Sequence, residues 1–412
     1  REPREIPGAG LFRTTPPLTY YRARRLRVAR LADLASILER YALPGDPPAP
    51  DATLRLHVLL RTPSARERDL VLRRTRAAVE IRVADAALLA SGDAPGFGSL
   101  IEELSSFPPD GVELARLLRR ALLPPRPAAW RLRTRVLPLD RPLVMGIVNV
   151  TPDSFSDGGR YVEVDEALRH GRDLVSAGAD LLDVGGESTR PGAGRVDPAE
   201  EERRVVPVVA GLAELEVPVA VDTTRASVAR AALAAGAEVV NDVSALRFDP
   251  GLAAVTADTG AGVVLMHMQG TPETMHRAPS YRDVAGEVLE FLGEALDRAT
   301  AAGIDAERCA VDPGIGFGKR PMDNEELLYR LEELRGLGRP LLVGPSRKGF
   351  LDPARRVSPD ERLPETIAAA CLAAGGGAHI LRVHDVGECS RALEVVRRVV
   401  EAGAGHAPAP AV

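Results

Sequence analysis

Lysine is nearly absent from this chain. Of 53 basic residues only Lys319 and Lys348 are lysines, and the rest are arginines. With 38 glycines, 34 prolines and abundant alanine, this scarcity reads as a compositional bias, against which each surviving lysine is informative. Aromatics make up only 4% of the residues and the net charge is -5, so both the stacking platforms and the basic footprint that nucleic-acid binding needs are missing. No apolar run reaches the roughly 18 residues of a membrane span, and the first 30 residues lack an apolar segment ending in a small-residue cleavage site. A cytoplasmic protein that binds neither membrane nor nucleic acid is expected. Cys309, Cys371 and Cys389 are widely spaced and form no CxxC, which excludes a disulfide framework and a cysteine zinc site. They are expected to be reduced packing residues. The chain begins at Arg1 rather than methionine, so further residues are expected ahead of it.

What is present is a globular composition, 45% hydrophobic and 27% charged, in 412 residues, more than one ordinary domain needs. The proline-rich segment 122–129 (LLPPRPAA) is the best linker, and charge changes sign across it. There are 20 arginines against 15 acidic residues up to Pro125, and 33 basic against 43 acidic beyond. The expected division is a small accessory α+β domain at 1–125 and a larger domain at 126–412. In the first, 52–60, 79–84 and 86–89 read as strands and 64–77, 97–107 and 112–122 as helices. Arg22, Arg24, Arg25, Arg27 and Arg30 read as a solvated helix face. No catalytic constellation is found there, and its role stays open.

Beyond the linker one pattern recurs: a short Val/Leu-rich run, a turn of Gly, Pro, Asp or Ser, then ten or more residues at helical spacing. The apolar runs are 143–150, 180–186, 217–222, 238–242, 262–267, 309–314, 340–346 and 379–385. The helical stretches are 164–177, 198–215, 225–235, 249–259, 281–302, 324–337, 359–374 and 386–402. Eight such units in about 280 residues match a (β/α)8 TIM barrel better than a doubly wound open sheet. Asn149, Asp183, Asp222, Asn241, His267, Asp312, Ser346 and His384 each close an apolar run. Barrel enzymes assemble their active sites at that strand end, and capping alone would not place polar groups on all eight.

Several blocks occur in order: MGIVNVTPDSFSDGG (145–159), DVGGESTRPGA (183–193), VDT (221–223), NDVSA (241–245), LMHMQG (265–270), DPGIGFGK (312–319), SRKGF (346–350) and RVHD (382–385). With these the chain resembles dihydropteroate synthase over about 130–403. The resemblance implies a transferase of folate biosynthesis and sulfonamide target, in which p-aminobenzoate displaces pyrophosphate from 6-hydroxymethyl-7,8-dihydropterin diphosphate to give 7,8-dihydropteroate. The substrates are small molecules, and the family usually forms homodimers.

Chemistry agrees with the roles the resemblance assigns. A pterin edge of adjacent N–H donors needs a carboxylate, here Asp312, with Asp222 and Asn241 for other ring nitrogens. Lys348 would donate to a ring oxygen or nitrogen, and Met266 and Phe317 would line the ring. Pyrophosphate needs cations and Mg2+. Asn149 would coordinate the metal, and Thr189, Arg382 and His384 would bind the phosphates; Arg382 and His384, two apart on a strand, leave it on one face. No HExxH or carboxylate cluster suggests zinc. For p-aminobenzoate, Arg190 and the amides at Lys348 and Gly349, opening a helix, would meet the carboxylate, while Phe155 and Pro191 sandwich the ring. Some family members have serine at position 349. Loops 153–159 and 187–194 suggest lids that exclude water, with Asp157 in the closed assembly. No general base is evident, so dissociation of pyrophosphate is expected to lead attack. Lys319 has only a loop-stabilising reading. The alternatives are a pterin-binding methyltransferase domain, which would not need both early loops, and a catalytically silent pterin-binding protein. For residues 1–125, fusion to the preceding pathway kinase is disfavoured, since its residues are not found.

Overall fold

The computed structural model describes residues 23–28, 31–44, 52, 55–61, 63–75, 78–150, 160–187, 196–354 and 357–404. The accessory sheet is antiparallel, in the order β1 (Ala23–Arg25), β2 (Leu56–Arg61), β4 (Ala87–Gly92), β3 (Val79–Val83). Alternation along β2 and β4 gives it two buried faces. Val58, Leu60, Leu88 and Ala90 join the large core shared with the barrel helices. Leu59, Ala87 and Leu89 face a smaller core under α1 (Leu31–Arg40). Helices α2 (Ala65–Arg74), α3 (Ala94–Ser105) and α4 (Asp110–Leu122) complete the layer. Ser64 and Glu67 form a reciprocal capping box on α2, and Asp93 accepts from Gly96 N to start α3.

Here the arginine cluster is corrected. Arg24 and Arg25 lie on strand β1, and Arg24 is 1% exposed. Arg24 pairs with Asp283 and Glu333 of the barrel segment. Opposite charges across the junction removed this arginine from solvent, a contact that composition alone could not show. Arg22 and Arg30 lie outside the described residues.

A hairpin, β5 (Ala129–Arg131) and β6 (Val136–Pro138), follows and inserts the fully buried Trp130 among the barrel's interior residues. Trp130 Nε1 donates to Arg308 O at 2.9 Å. The barrel strands are β7 (Leu143–Asn149), β8 (Leu181–Gly185), β9 (Val219–Asp222), β10 (Val239–Asp242), β11 (Gly262–Met266), β12 (Cys309–Asp312), β13 (Leu342–Val343) and β14 (Ile380–Val383). All pair in parallel, in the order β12-β11-β10-β9-β8-β7-β14-β13, and a parallel bridge between Val311 and Leu341 joins the two ends. This is the (β/α)8 barrel. Its helices are α5 (Arg160–Ser176), α6 (Pro198–Leu212), α7 (Ala226–Ala234), α8 (Pro250–Thr259), α9 (Val284–Ala301), α10 (Pro321–Tyr329), α11 (Leu363–Gly375) and α12 (Val386–Ala404).

The helix expected over 324–337 is two pieces. Helix α10 stops at Tyr329, and Leu331–Leu337 continues as a 3-10 helix. At the break Arg330 reaches Asp283, Glu326 and Glu333. Among the described residues no helix is long and apolar enough to cross a membrane.

Candidate active site

Strand alternation builds the site. Leu143, Met145, Leu181, Ala220, Val239, Val264, Ala310, Leu342 and Ile380 form the apolar plug inside the barrel. Two residues further along each strand, on the same face, come Ile147, Asp183, Asp222, Asn241, Met266, Asp312, Gly344 and Arg382. One more step along β7 and β14 gives Asn149 and His384. Most of the polar residues expected at the strand ends therefore share one mouth above this apolar core, whereas His267, next to inward-facing Met266, points the other way and packs edge-on against Phe291 of α9 at 4.8 Å.

Arg382 crosses that mouth. Its Nε donates to Asp183 Oδ2 at 2.6 Å and its Nη2 to Asp222 Oδ2 at 2.8 Å. Asn241 Nδ2 donates to the same Asp183 oxygen at 2.9 Å. Asp183 is fully buried, and its Oδ1 has no hydrogen-bond partner among the described residues. Burial, and then the nearby Asp183 charge, push the Asp222 carboxyl up to about 7 against the opposing pull of Arg382. Asp183 is the positioning residue that the motif-based assignment left without a role. The signal for it was present, since it interrupts the apolar run of β8 on the inward face.

Lys348 stands on the other side. Its ammonium lies 4.3 Å from the centre of the Phe317 ring and donates to Ile315 O. Burial lowers its pKa to about 7, against the stabilising charges of Asp312 and Asp222. Asp312 Oδ1 accepts from Gly314 N at 2.6 Å, which leaves Oδ2 as the carboxylate oxygen not used in that bond. Burial also raises the Asp312 pKa, opposed by Lys348. Met266 and Phe317 pack with Val243, Met268 and Met275 in a separate apolar cluster that gives one wall.

Two glycines let the DPGIGFGK loop fold this closely. A Cβ on Gly314 would lie 1.9 Å from His267 O, and Gly314 has φ +64°. Gly316, at φ +84°, leaves the space filled by Lys348, whose Cδ is 2.5 Å from where a Cβ would stand. Gly316→Ala is expected to lower pterin affinity by about tenfold or more, since positive φ alone costs a non-glycine residue about 1–2 kcal/mol and the lysine must also move. A binding titration checks this; unchanged affinity would separate Gly316 from the lysine's placement.

Lys319 ties the loop's far end. Its Nζ bonds to His267 Nδ1 and Gly314 O, each at 2.9 Å, and to Phe317 O at 3.0 Å. Burial and the Lys319 charge hold the His267 imidazole well below its ordinary pKa, so Nδ1 accepts. The loop-stabilising reading of this lysine thus has three bonds behind it. His384 is oriented by Ser346. Its backbone N–H donates to Ser346 Oγ at 3.2 Å, and that hydroxyl lies 2.9 Å from His384 Nδ1.

Phe155, Asp157, Thr189, Arg190 and Pro191 lie outside the described residues. The helix expected to open at Gly349 is a three-residue 3-10 turn, Gly349–Leu351, so no helix of useful length stands behind those amides. A Cβ at Gly349 would meet nothing within 4 Å, so glycine is not sterically required there.

A family model described as "Pterin binding enzyme" matches residues 145–384. Dihydropteroate synthase of Escherichia coli K12 is 48% identical over 267 residues, covering 65% of this chain and 94% of that protein. The Mycobacterium leprae enzyme is 49% identical over 268 residues, 63% of this chain and 94% of its own length. Among solved structures, Xanthomonas albilineans dihydropteroate synthase with 4-aminobenzoic acid superposes with a TM-score of 0.62 at 49% identity, covering 68% of this chain and 99% of that one. The same organism's enzyme in complex with 7,8-dihydropteroate gives 0.60 at 46% identity, covering 68% and 100%.

Proposed function

The chain belongs to the dihydropteroate synthase family, and we infer that its barrel condenses 6-hydroxymethyl-7,8-dihydropterin diphosphate with p-aminobenzoate in folate biosynthesis. The observation that carries this reading is the inward layer itself: Asp312, Asp222, Asn241 and Lys348 surround one space beside Phe317 and Met266, with Arg382 and His384 at its edge. A pterin laid there meets carboxylates at its N–H edge and an ammonium at its carbonyl side. The aniline nitrogen forms a C–N bond to the exocyclic methylene carbon, and the C–O bond to diphosphate breaks. Its electron pair leaves on the diphosphate, and the amine gives up one proton. Arg382 and His384 stabilise the departing charge, while the closed apolar wall keeps water from the carbon. The relatives bear the name synthase and include a Yersinia pestis structure described as a sulfonamide drug complex. This favours synthesis over methyl transfer or a silent pterin binder, and marks the chain as a sulfonamide target.

Mg2+ fits this donor set. Among the described residues no three His, Cys, Asp or Glu side chains gather as a metal cage. A half-buried asparagine at a strand end suits an ion held mostly by phosphate and water oxygens. Asn149 would hold it through its amide oxygen, and when bound it neutralises developing pyrophosphate charge. Thr189 serves the phosphates, Phe155, Arg190, Pro191 and the Gly349 amide serve p-aminobenzoate, and Asp157 belongs to the closing loop. A cytoplasmic homodimer is the working state. Buried, unpaired Cys309 and Cys389 suit the first. Exposed Leu372 on α11 and Val395, Val399 and Val400 on the adjoining α12 suit the second.

Direct titration of the dihydropterin diphosphate into wild type and Asp312→Asn tests the pocket. Loss of about 1.5–3 kcal/mol, the scale of a hydrogen bond to a charged group, is expected. Equal affinity would remove Asp312 from pterin recognition. The pH profile follows from the shifts. Asp222, raised to about 7, is a charged acceptor only above that pH, whereas Lys348, lowered to about 7, is a charged donor only below it. The kcat/KM profile is therefore expected to be a narrow bell near neutrality, with Asp222→Asn removing its acid limb. A flat profile from pH 5.5 to 9 would contradict both assignments.

A further inference from the structure

The junction between the accessory domain and the barrel contains a cavity of about 410 Å³ that the condensation does not use. Three guanidinium groups line it: Arg25 from β1, Arg126 from the segment after α4, and Arg335 from the 3-10 helix Leu331–Leu337. Among the described residues none of the three makes an ion pair or a side-chain hydrogen bond, although Arg24 and Arg120 on this junction do. Arg24 takes Asp283 and Glu333, and Arg120 donates to Gly336 O at 2.8 Å and Leu337 O at 2.9 Å. The three are close enough to repel one another: after burial, the charges of Arg126 and Arg25 are the next causes lowering the Arg335 pKa, with only Glu332 opposing them. Leu122, Leu123 and Pro124 supply an apolar wall facing this charge.

Glu332 and Glu333 also line the cavity, but Glu333 is already paired with Arg24 and Arg330, so three guanidinium groups face Glu332 alone, and an anion relieves that excess of positive charge. Guanidinium forks match phosphate oxygens in geometry, and the volume falls within the range of small-molecule sites. Burial, and then the Arg335 charge, lower the pKa of His379, which precedes β14, whereas His384 follows that strand's other end. The cavity is therefore apart from the catalytic mouth. We propose that this junction is a binding site for a small phosphate-bearing anion, gripped by Arg25, Arg126 and Arg335 and held between the two domains.

The test is calorimetric titration of the full chain with inorganic phosphate and, separately, with ATP. Wild type is compared with Arg126→Ala/Arg335→Ala and with the single variant Arg25→Gln, whose exposed position avoids a folding defect. Phosphate can also enter the catalytic mouth, so Arg382→Ala is titrated in parallel to identify that class of sites. The double variant is expected to lose one class of binding, or about tenfold or more in its affinity, while keeping the class that Arg382→Ala removes and wild-type turnover; Arg25→Gln should weaken the same class. Tighter binding of ATP than of phosphate assigns the apolar wall to an organic group, and equal binding assigns the ion alone; both support the site. Isotherms that the Arg126, Arg335 and Arg25 substitutions leave unchanged would overturn it, whatever the outcome for the condensation.

Discussion

Replacing Lys348 by arginine is expected to lower kcat/KM for the dihydropterin diphosphate by roughly 100-fold, about 2.7 kcal/mol, although the charge is kept. The ammonium sits over the Phe317 ring while its stem fills the space left by Gly316. A planar guanidinium is broader, cannot take that path without displacing the loop, and remains charged at every accessible pH. Two further consequences distinguish this from simple damage. The alkaline limb of the pH profile, which belongs to Lys348 with its pKa near 7, should vanish in the variant. Pterin affinity should fall by more than thermal stability, since the displaced loop is local to the mouth. Near-normal pterin affinity in Lys348→Arg would defeat the reading.

Replacing Arg24 by methionine is expected to cost about 3–5 kcal/mol of stability, because breaking a buried ion pair strands its partners. Asp283 and Glu333 are 3% and 0% exposed at their side chains. Burial alone would raise the Asp283 pKa, yet Arg24 and then Arg330 hold it well below the usual carboxylate range. A depressed carboxylate stabilises the fold fully above its unfolded pKa of about 4 and loses that contribution as pH falls further. The loss in Arg24→Met should therefore be largest at neutral pH and shrink on acidification. Asp283 also caps α9, accepting from Gly286 N at 3.3 Å, so the damage reaches the barrel. Chemical denaturation at pH 7 and at about pH 2 measures this. Equal stability of variant and wild type would mean that the accessory domain rests on the barrel without anchoring it.

The barrel and its mouth were legible because both follow from local rules. A run such as GVVLM gives a strand, its parity gives the inward face, and Asp222, Asp312 or His384 at a strand end gives the site. The front segment was not legible to the same degree. Three-residue β1 has no periodicity to detect, and its arginines look like a solvated face until Asp283 and Glu333, some 260 and 310 positions away, are brought to Arg24. The same limit applied to the break at Arg330, set by carboxylates from three places in the chain, and to Asp183, whose importance lies in what it holds. Lys319 and Lys348 were singled out by composition, and the first proves to be buried and the second half-buried, each at the centre of a polar arrangement.

One measurement bears most directly on the condensation: simultaneous quantification of pyrophosphate and 7,8-dihydropteroate from the full chain supplied with the pterin diphosphate, p-aminobenzoate and Mg2+. Equal yields of the two products, both dependent on p-aminobenzoate and both suppressed by a sulfonamide, are the expected result. Pyrophosphate release indifferent to p-aminobenzoate, or no dihydropteroate at all, would contradict it.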